Sequence, residues 1–353
     1  MALSRRWFLW SLPAACFGQS GAKGRVLPSA LKRYADPATE FPVQRLTDPA
    51  HASILSGPRA ISRHGFLVCA SDVSGRFEAY RIDLKSGQQK QLTDAANLDP
   101  HSITLTPDDR SIVYLDGSSL TMANLGSLRS REIYKIADGI GRGLGLADDG
   151  LYAALIEPKG LRLINIAKGT AETLAEGDDI SDAMPRPKRA SVLYRRGGAL
   201  WLANYDAQQN YRLRVAEDGI GPALWSPDGR SVFYLSYPPD AEHKLHSLRE
   251  FVPDSNEDKA LADTSQFVGI GRNADGSVFV GASGSKASPY VLLLVPAVKR
   301  ELTLCEHHAS DASMVNPVFS PNSQRVFFMS DRHGKAAIYS LAVEKLVAET
   351  ETA

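Results

Sequence analysis

The histidines are the first residues to consider, because a neutral imidazole can ligate a transition metal and can also accept a proton near neutral pH. His101 and the adjacent pair His307 and His308 stand at the predicted starts of strands or just before them. These three are the candidates for a site. An isolated histidine at such a position is more often solvated or hydrogen-bonded than ligating, so both interpretations stay open. The eight histidines are His51, His64, His101, His243, His246, His307, His308 and His333.

Two arginines that follow a glycine are candidates for binding an acidic ligand. Arg142 lies in Gly141-Arg142-Gly143 and Arg272 lies in Gly271-Arg272-Asn273, both near the predicted starts of inner strands. The planar guanidinium donates two parallel hydrogen bonds to a carboxylate. The glycines favour a backbone held close to another group. The alternative role for each arginine is an ordinary surface or inter-blade ion pair.

The elements that must position these residues form a repeat of about 40 residues. Each copy has an apolar strand, a Pro-Asp-Gly-like turn, a second apolar strand such as 231–235, and an alternating third strand. Proline suits the first corner of the turn, and Asp, Asn or Gly suits the positions after it. Near-continuous β-branched and aromatic runs are typical of strands covered on both faces. The repeat predicts an all-β fold, a β-propeller made of β-meander blades.

We count seven copies of the repeat, with an uncertainty of one. They lie near residues 61–94, 101–134, 141–177, 181–219, 221–264, 267–308 and 316–345. The last copy has a poor fourth strand, whereas residues 42–47 repeat the outer-strand pattern of residues 90–93. We therefore predict that an N-terminal strand completes the last blade and closes the ring, which removes free sheet edges.

Charge and composition exclude some partners. The 40 Lys and Arg residues balance the 40 Asp and Glu residues, so no basic surface for nucleic acid is expected. No apolar stretch reaches the roughly 20 residues of a transmembrane helix. Cys69 and Cys305 are too isolated to indicate a disulfide framework. We expect a monomer without a transmembrane segment.

The N-terminus resembles an export signal. An arginine pair precedes a short apolar stretch in Ser4-Arg5-Arg6-Trp7-Phe8-Leu9. This order is similar to the twin-arginine signal. The alternatives to a twin-arginine signal are a general secretory signal and a signal with lipid attachment at Cys16. The predicted organisation is a signal peptide at 1–22, one propeller at 23–345 and a tail at 346–353, with a periplasmic or extracellular location.

Two family resemblances follow from the motifs. The Pro-Asp-Gly turns and Leu-Thr-Asp strand ends resemble the broad TolB-type propellers, which implies binding of proteins, peptides or sugars at the central face. The two ends of the chain resemble the oligogalacturonate lyases more specifically. The runs that carry this second resemblance are 23–28, 33–39, 45–49, 289–292, 304–307, 316–322, 330–331 and 337–339.

The lyase resemblance implies a reaction and a cofactor. It implies β-elimination of short pectin oligogalacturonides in the central channel, aided by a divalent ion such as manganese. A cation neutralises the sugar carboxylate, and a neutral base removes the adjacent proton. In that family, histidines supply most of the metal ligands and also the base.

This sequence departs from the family at those positions. The family's His-Pro-His-Pro stretch is replaced by Met314-Val315-Asn316-Pro317, and its glutamine ligand falls on Asp311. A further family histidine falls near Gly269, and the base falls on Pro222. Oxygen donors from Asp311 and Asn316 could still hold a hard cation such as calcium, but the family's imidazoles that would favour a transition metal are missing. His307 and His308 are the other two candidate ligands for manganese or calcium. Proline cannot accept a proton.

Two functions of different classes are compatible with these observations. The first is an exported lyase of the oligogalacturonate type with altered ligands, for which His101, Arg142 and Arg272 would bind substrate. The second is a non-catalytic pseudoenzyme, a TolB-type propeller that binds an acidic oligosaccharide or a protein partner at the central channel. Because both predict the same fold, only the site can distinguish them.

Overall fold

The computed structural model describes residues 23–216, 219–239, 245–343 and 346. Apart from Leu346, the helical elements in this part of the chain are three short 3₁₀ turns at Pro58–Ala60, Pro296–Val298 and Ala312–Val315. The predicted signal segment, 1–22, lies outside the described residues, as does all of the predicted tail except Leu346. Within these residues, no helix has the length and apolar character needed to cross a membrane.

The strands form seven separate sheets, which we number as blades 1 to 7 in chain order. Blades 2 to 6 each contain four consecutive strands, as the repeat predicts. In order from the innermost strand outward, blade 2 contains Thr104–Leu105, Ser111–Asp116, Ser119–Asn124 and Ser130–Lys135. Blade 3 contains Arg142–Leu146, Tyr152–Glu157, Gly160–Asn165 and Thr170–Glu176. Blade 4 contains Ile180–Pro185, Ser191–Arg196, Ala199–Asn204 and Asn210–Arg212. Blade 5 contains Gly219–Trp225, Val232–Tyr237, His246–Val252 and Glu257–Thr264. Blade 6 contains Phe267–Arg272, Phe279–Ser283, Tyr290–Val295 and Arg300–Glu306.

Blades 1 and 7 each gain a fifth strand from the N-terminal segment. Blade 1 contains Ser53–Ile54, Phe66–Ser71, Glu78–Asp83, Gln89–Gln91 and, outermost, Val26–Leu27. Blade 7 contains Val318–Phe319, Arg325–Ser330, Ala337–Ala342, Pro42–Arg45 and, outermost, Lys32–Ala35. The sequence pattern missed the two outermost strands and the short inner strand Ser53–Ile54, which precedes the predicted start of the first copy.

The ring closes as predicted. Pro42–Arg45 pairs antiparallel with Ala337–Ala342, with Val43 opposite Leu341 and Arg45 opposite Tyr339. The first and last parts of the chain therefore share one sheet. This pairing covers an edge of blade 7 that would otherwise be unpaired.

The core lies between blades rather than within one layer. Phe328, for example, packs in a cluster with blade 6 residues such as Val291, and both side chains are fully buried. Similar clusters join the other neighbouring blades. Because each middle strand is covered on both faces, its sequence is almost continuously apolar, as in Val232–Tyr237.

The repeated turn has the chemistry predicted for it. In blade 5 the hydroxyl of Ser226 donates to Asp228 Oδ1 at 2.7 Å, and the next residue, Gly229, has φ of 71°. Ser320 and Asn322 make the equivalent contact in blade 7 at 2.7 Å. Glycine or asparagine tolerates this left-handed conformation better than other residues do. These turns fix where each inner strand ends, and so fix one end of the central channel.

Candidate functional site

The inner strands of blades 2 to 7, with the loop that follows the inner strand of blade 1, line a cavity of about 490 Å³, the central channel. Its size lies within the range of small-molecule sites, roughly 300–1,000 Å³. Much of its wall is apolar, with Leu144, Met184, Leu224, Ile270 and Phe319 among the lining residues. The channel is therefore a pocket with a few polar groups set in an apolar wall.

The inner strands of blades 3 to 6 share an irregularity on the side where they begin. Their pairing shifts register between Arg142 and Gly145, between Ser181 and Met184, between Ile220 and Ala223, and between Phe267 and Gly269. Such bulges bend a strand and re-aim its side chains, and they are frequent at barrel rims and beside functional sites. Four consecutive blades therefore have bulged backbone at the end of the channel where their inner strands begin.

Two of the positions matched to the family's chemistry, Pro222 and Gly269, lie at these bulges, and none of the matched positions carries an imidazole. Pro222 falls inside the blade 5 bulge and lines the channel, and Gly269 falls at the blade 6 bulge. Asn316 also lines the channel, in the left-handed conformation with φ of 39°. Proline, glycine and asparagine at these three positions offer no base of the histidine type.

His101 lines the channel, as its place at the start of blade 2 predicts. Its ring has no hydrogen-bond partner among the described residues, although its backbone N–H donates to Asp99 Oδ1 at 3.0 Å. The side chain of Asn316 likewise has no partner among them. Both groups are free to contact a ligand.

The two predicted arginines occupy opposite ends of their strands, which corrects the expectation that both lie near strand starts. Arg142 is the first residue of its inner strand, is exposed, and lies outside the channel lining. Its Nη2 donates to the carbonyls of Asp178 at 3.4 Å and Ile180 at 3.3 Å. Arg272 is the last residue of its strand and does line the channel.

The histidine pair does not face the channel, contrary to the expectation from its place before the last blade. His307 is only 2% exposed. Its Nε2 lies 3.0 Å from the carbonyl of Ser283, and its Nδ1 accepts from the N–H of Ala309 at 3.1 Å. Burial lowers the pKa of His307, so the ring is neutral and both nitrogens are occupied. His308 instead pairs with Glu306 at 2.5 Å.

The predicted metal ligands do not fit a metal site. Asp311 is exposed and caps the 3₁₀ turn Ala312–Val315 by accepting from the N–H of Ser313 at 2.9 Å. His307, His308 and Asp311 lie outside the channel lining, so Asn316 is the only one of the four candidates that reaches the channel. Within the described ranges, no three His, Cys, Asp or Glu side chains come together in a manner that could hold a metal ion. The four candidate ligands therefore do not come together in one site.

Two channel residues were missed by the sequence analysis. Arg59, in the loop after the first inner strand, reaches past blade 2 and pairs with Asp148 of blade 3, with Nη2 to Oδ1 at 2.8 Å. Its Nη1 also donates to the carbonyl of Ala147 at 3.1 Å. Arg59 was not predicted because its loop precedes the first recognisable copy of the repeat. Asp148 was not predicted because its place in a repeated turn already accounted for an aspartate there. The pair borders the channel where the inner strands end.

Comparisons with known proteins agree with the fold and with the resemblance at the chain ends. The chain matches none of the protein-family models. It is 24% identical to the oligogalacturonide lyase of Pectobacterium atrosepticum over 90% of this chain and 97% of the relative. The oligogalacturonate lyase of Dickeya dadantii gives the same identity and coverage.

Solved structures give the same result for the fold. An oligogalacturonate lyase in complex with manganese superposes with a TM-score of 0.84 and 22% identity, covering 91% of this chain and 98% of that one. The oligogalacturonate lyase of Vibrio parahaemolyticus superposes with a TM-score of 0.83 and 23% identity, over 91% and 99% of the two chains. The resemblance indicated by the two ends of the sequence is therefore confirmed: this chain is similar to oligogalacturonate lyases along nearly its whole length and shares their seven-bladed β-propeller fold.

Proposed function

We propose that this protein is a propeller of the oligogalacturonate lyase family that binds an acidic oligosaccharide in the central channel without the manganese-and-histidine elimination chemistry of the family. The observation that carries the proposal is the contrast at the bulged strand starts. A ligand-sized channel is present, but Pro222 and Gly269 stand where the resemblance places a base and a ligand histidine.

The remaining channel groups suit binding better than proton abstraction. His101 and Asn316 offer uncommitted hydrogen-bonding groups to sugar hydroxyls, and Arg272 offers a cation to a carboxylate. Apolar wall residues such as Leu224 and Phe319 can contact the faces of sugar rings. An apolar wall with a few placed polar groups is the common design of small-molecule sites.

A second candidate function is lyase activity with a rearranged site. The observation in its favour is similarity to curated lyases along nearly the full length of both chains. In that case His101, the one histidine among the described residues that lines the channel, is the group to test as the base. The bound sugar's carboxylate would need neutralisation by Arg272 rather than by a histidine-held ion.

Calorimetric titration of the purified protein with digalacturonate in the presence of a chelator tests the proposal. We expect saturable binding, and much weaker binding of the neutral dimethyl ester of the same sugar. Equal affinity for the acid and its ester would contradict recognition of an acidic ligand. Absence of binding to both would overturn the proposed function.

We also propose that the protein is exported, from the arginine pair Arg5-Arg6 ahead of a short apolar stretch. Replacing both arginines by lysine should leave full-length precursor in the cytoplasm if the twin-arginine route is used. Unchanged export of the double variant would favour the general secretory route. Mass determination of the secreted chain would locate the cleavage.

A further inference from the structure

Arg272 breaks a pattern that the other inner strands follow. It is the last residue of the blade 6 inner strand, Phe267–Arg272. The corresponding final residues of the inner strands in blades 2, 3, 4, 5 and 7 are all apolar: Leu105, Leu146, Pro185, Trp225 and Phe319. A charged group at this one position is therefore not required by the fold.

The guanidinium of Arg272 is held in place by neutral acceptors only. Its Nε donates to the carbonyl of Trp225 at 2.6 Å, and its Nη1 donates to the carbonyl of Asn273 at 3.1 Å. In the part of the chain that the structure describes, no carboxylate lies within ion-pairing distance of it, and its remaining N–H groups have no partner. The side chain is thus oriented but not neutralised.

The surroundings make this unneutralised charge costly. Burial lowers the pKa of Arg272, since a cation loses hydration there. Asp148 is the carboxylate with the largest opposing influence, yet it is already bound to Arg59 at 2.8 Å. Asp228 and Asp275 also favour the charged form of Arg272, but neither forms an ion pair with it, so its guanidinium has no directly bound counter-ion. A buried charge without a partner is unfavourable, so an incoming anion would be stabilised.

We propose that Arg272 is the anion-recognition residue of the central channel and binds a carboxylate of the ligand through its free N–H groups. This inference rests on the proposed function and specifies the end of the channel at which the acidic group sits. His101 and Asn316 would then contact the neutral part of the ligand. The ligand class is a small acidic sugar or another carboxylate with a polar body, entering with its charge toward the ends of the inner strands.

The test combines a variant with a modified ligand. Arg272→Met places an apolar residue where other blades already have one, and Arg142→Met is the matched control because Arg142 lies outside the channel lining. Binding of digalacturonate and of its dimethyl ester is measured for the wild type and both variants by calorimetry in the presence of a chelator. Thermal unfolding checks that each variant is folded.

A charge-assisted hydrogen bond contributes about 1.5–3 kcal/mol, so Arg272→Met should weaken digalacturonate binding by roughly 10- to 150-fold. The same variant should hardly change binding of the ester, whereas Arg142→Met should change neither by more than about 2-fold. Wild-type binding that survives Arg272→Met unchanged would overturn this inference alone. Failure of the wild type to bind either sugar would overturn the proposed function and this inference together.

Discussion

Two arginines in neighbouring blades, Arg332 and the half-buried Arg272, differ in what neutralises them. Arg332 of blade 7 is 5% exposed and contacts two residues of the N-terminal segment. Its Nη1 donates to the hydroxyl of Tyr34 at 3.1 Å, and its Nη2 lies 3.6 Å from Asp36 Oδ2. We call Tyr34, Asp36 and Arg332 the closure clasp. Arg272 of blade 6 contacts only backbone carbonyls.

The difference separates a structural role from a binding role. The closure clasp joins the first and last parts of the chain and has its counter-ion inside the fold. Arg272 faces a channel and lacks one. A carboxylate inside the fold satisfies Arg332, whereas Arg272 has no such partner and lines the channel, where a ligand can reach it. The two sites should therefore respond differently to the same kind of substitution.

The largest expected effect is on stability. Arg332→Met leaves Asp36 buried without its cation, and we expect a loss of about 3–5 kcal/mol in the free energy of unfolding. Arg272→Met leaves no carboxylate unpaired, and we expect a change within about 1 kcal/mol. Chemical denaturation of both variants measures this difference. Equal losses would show that Arg272 is a structural residue.

A smaller effect concerns the close contact of blades 6 and 7 beside Arg272. A Cβ added at Gly271 would lie 2.4 Å from the carbonyl oxygen of Pro317, so Gly271→Ala should cost about 1–3 kcal/mol. A Cβ at Gly269 would lie 3.4 Å from Pro317 Cδ, which is tolerable, so Gly269→Ala is the control. Denaturation midpoints and digalacturonate affinities should fall for the first variant only. Similar behaviour of the two would contradict this packing.

Acid sensitivity should arise near the closure clasp rather than at the channel. Burial lowers the pKa of His307, so the unfolded chain binds a proton more readily than the native one. The stability linked to neutral His307 is fully present above its unfolded pKa of about 6.5 and is lost as the pH falls below it. His307→Gln should flatten the decline between pH 7 and 5, by at most about 1.4 kcal/mol per pH unit for one proton.

Arg272→Met is the control for that pH experiment, because arginine stays protonated throughout the range. Its decline in stability between pH 7 and 5 should match that of the wild type. Denaturation curves at several pH values measure both slopes. A His307→Gln slope equal to the wild-type slope would remove His307 as a source of acid sensitivity.

The smallest effect concerns the charge balance around Arg272. Asp148→Asn removes the carboxylate that pairs with Arg59 and has the largest opposing influence on the pKa of Arg272, so digalacturonate binding should tighten by about 2- to 5-fold at low ionic strength. Salt should reduce the gain, because Asp148 and Arg59 are both partly exposed. Calorimetry at two salt concentrations measures this. Weaker binding by the variant would contradict competition between Asp148 and the ligand for the charge of Arg272.

Most of the fold could be predicted from the sequence because turns and apolar strands repeat locally. Residues 42–47 were assigned to the last blade because their pattern matched an outer strand, and the pairing of Val43 with Leu341 confirms it. The strand Val26–Leu27 was missed because two residues carry no usable period. Short strands are defined by their partner, which a local pattern cannot identify.

The site was less predictable because its contacts are distant in sequence. His101 was expected at the channel from its place at a strand start, and Asn316 and Pro222 from the family resemblance; the structure places all three in the channel lining. The sequence could not reveal that the ring of His307 is hydrogen-bonded to the carbonyl of Ser283, or that Arg59 reaches Asp148 across another blade. Hydrogen bonds over such separations depend on the closed ring.

The most direct test of the central claim is an ultraviolet absorbance assay for unsaturated uronate product. The folded protein is mixed with digalacturonate and trigalacturonate, with and without added manganese, under conditions where calorimetry shows the sugar to be bound. A flat trace with bound sugar, unaffected by manganese, is the result expected of a binding propeller. A rise in absorbance that depends on manganese would contradict the account and restore metal-assisted β-elimination as the function.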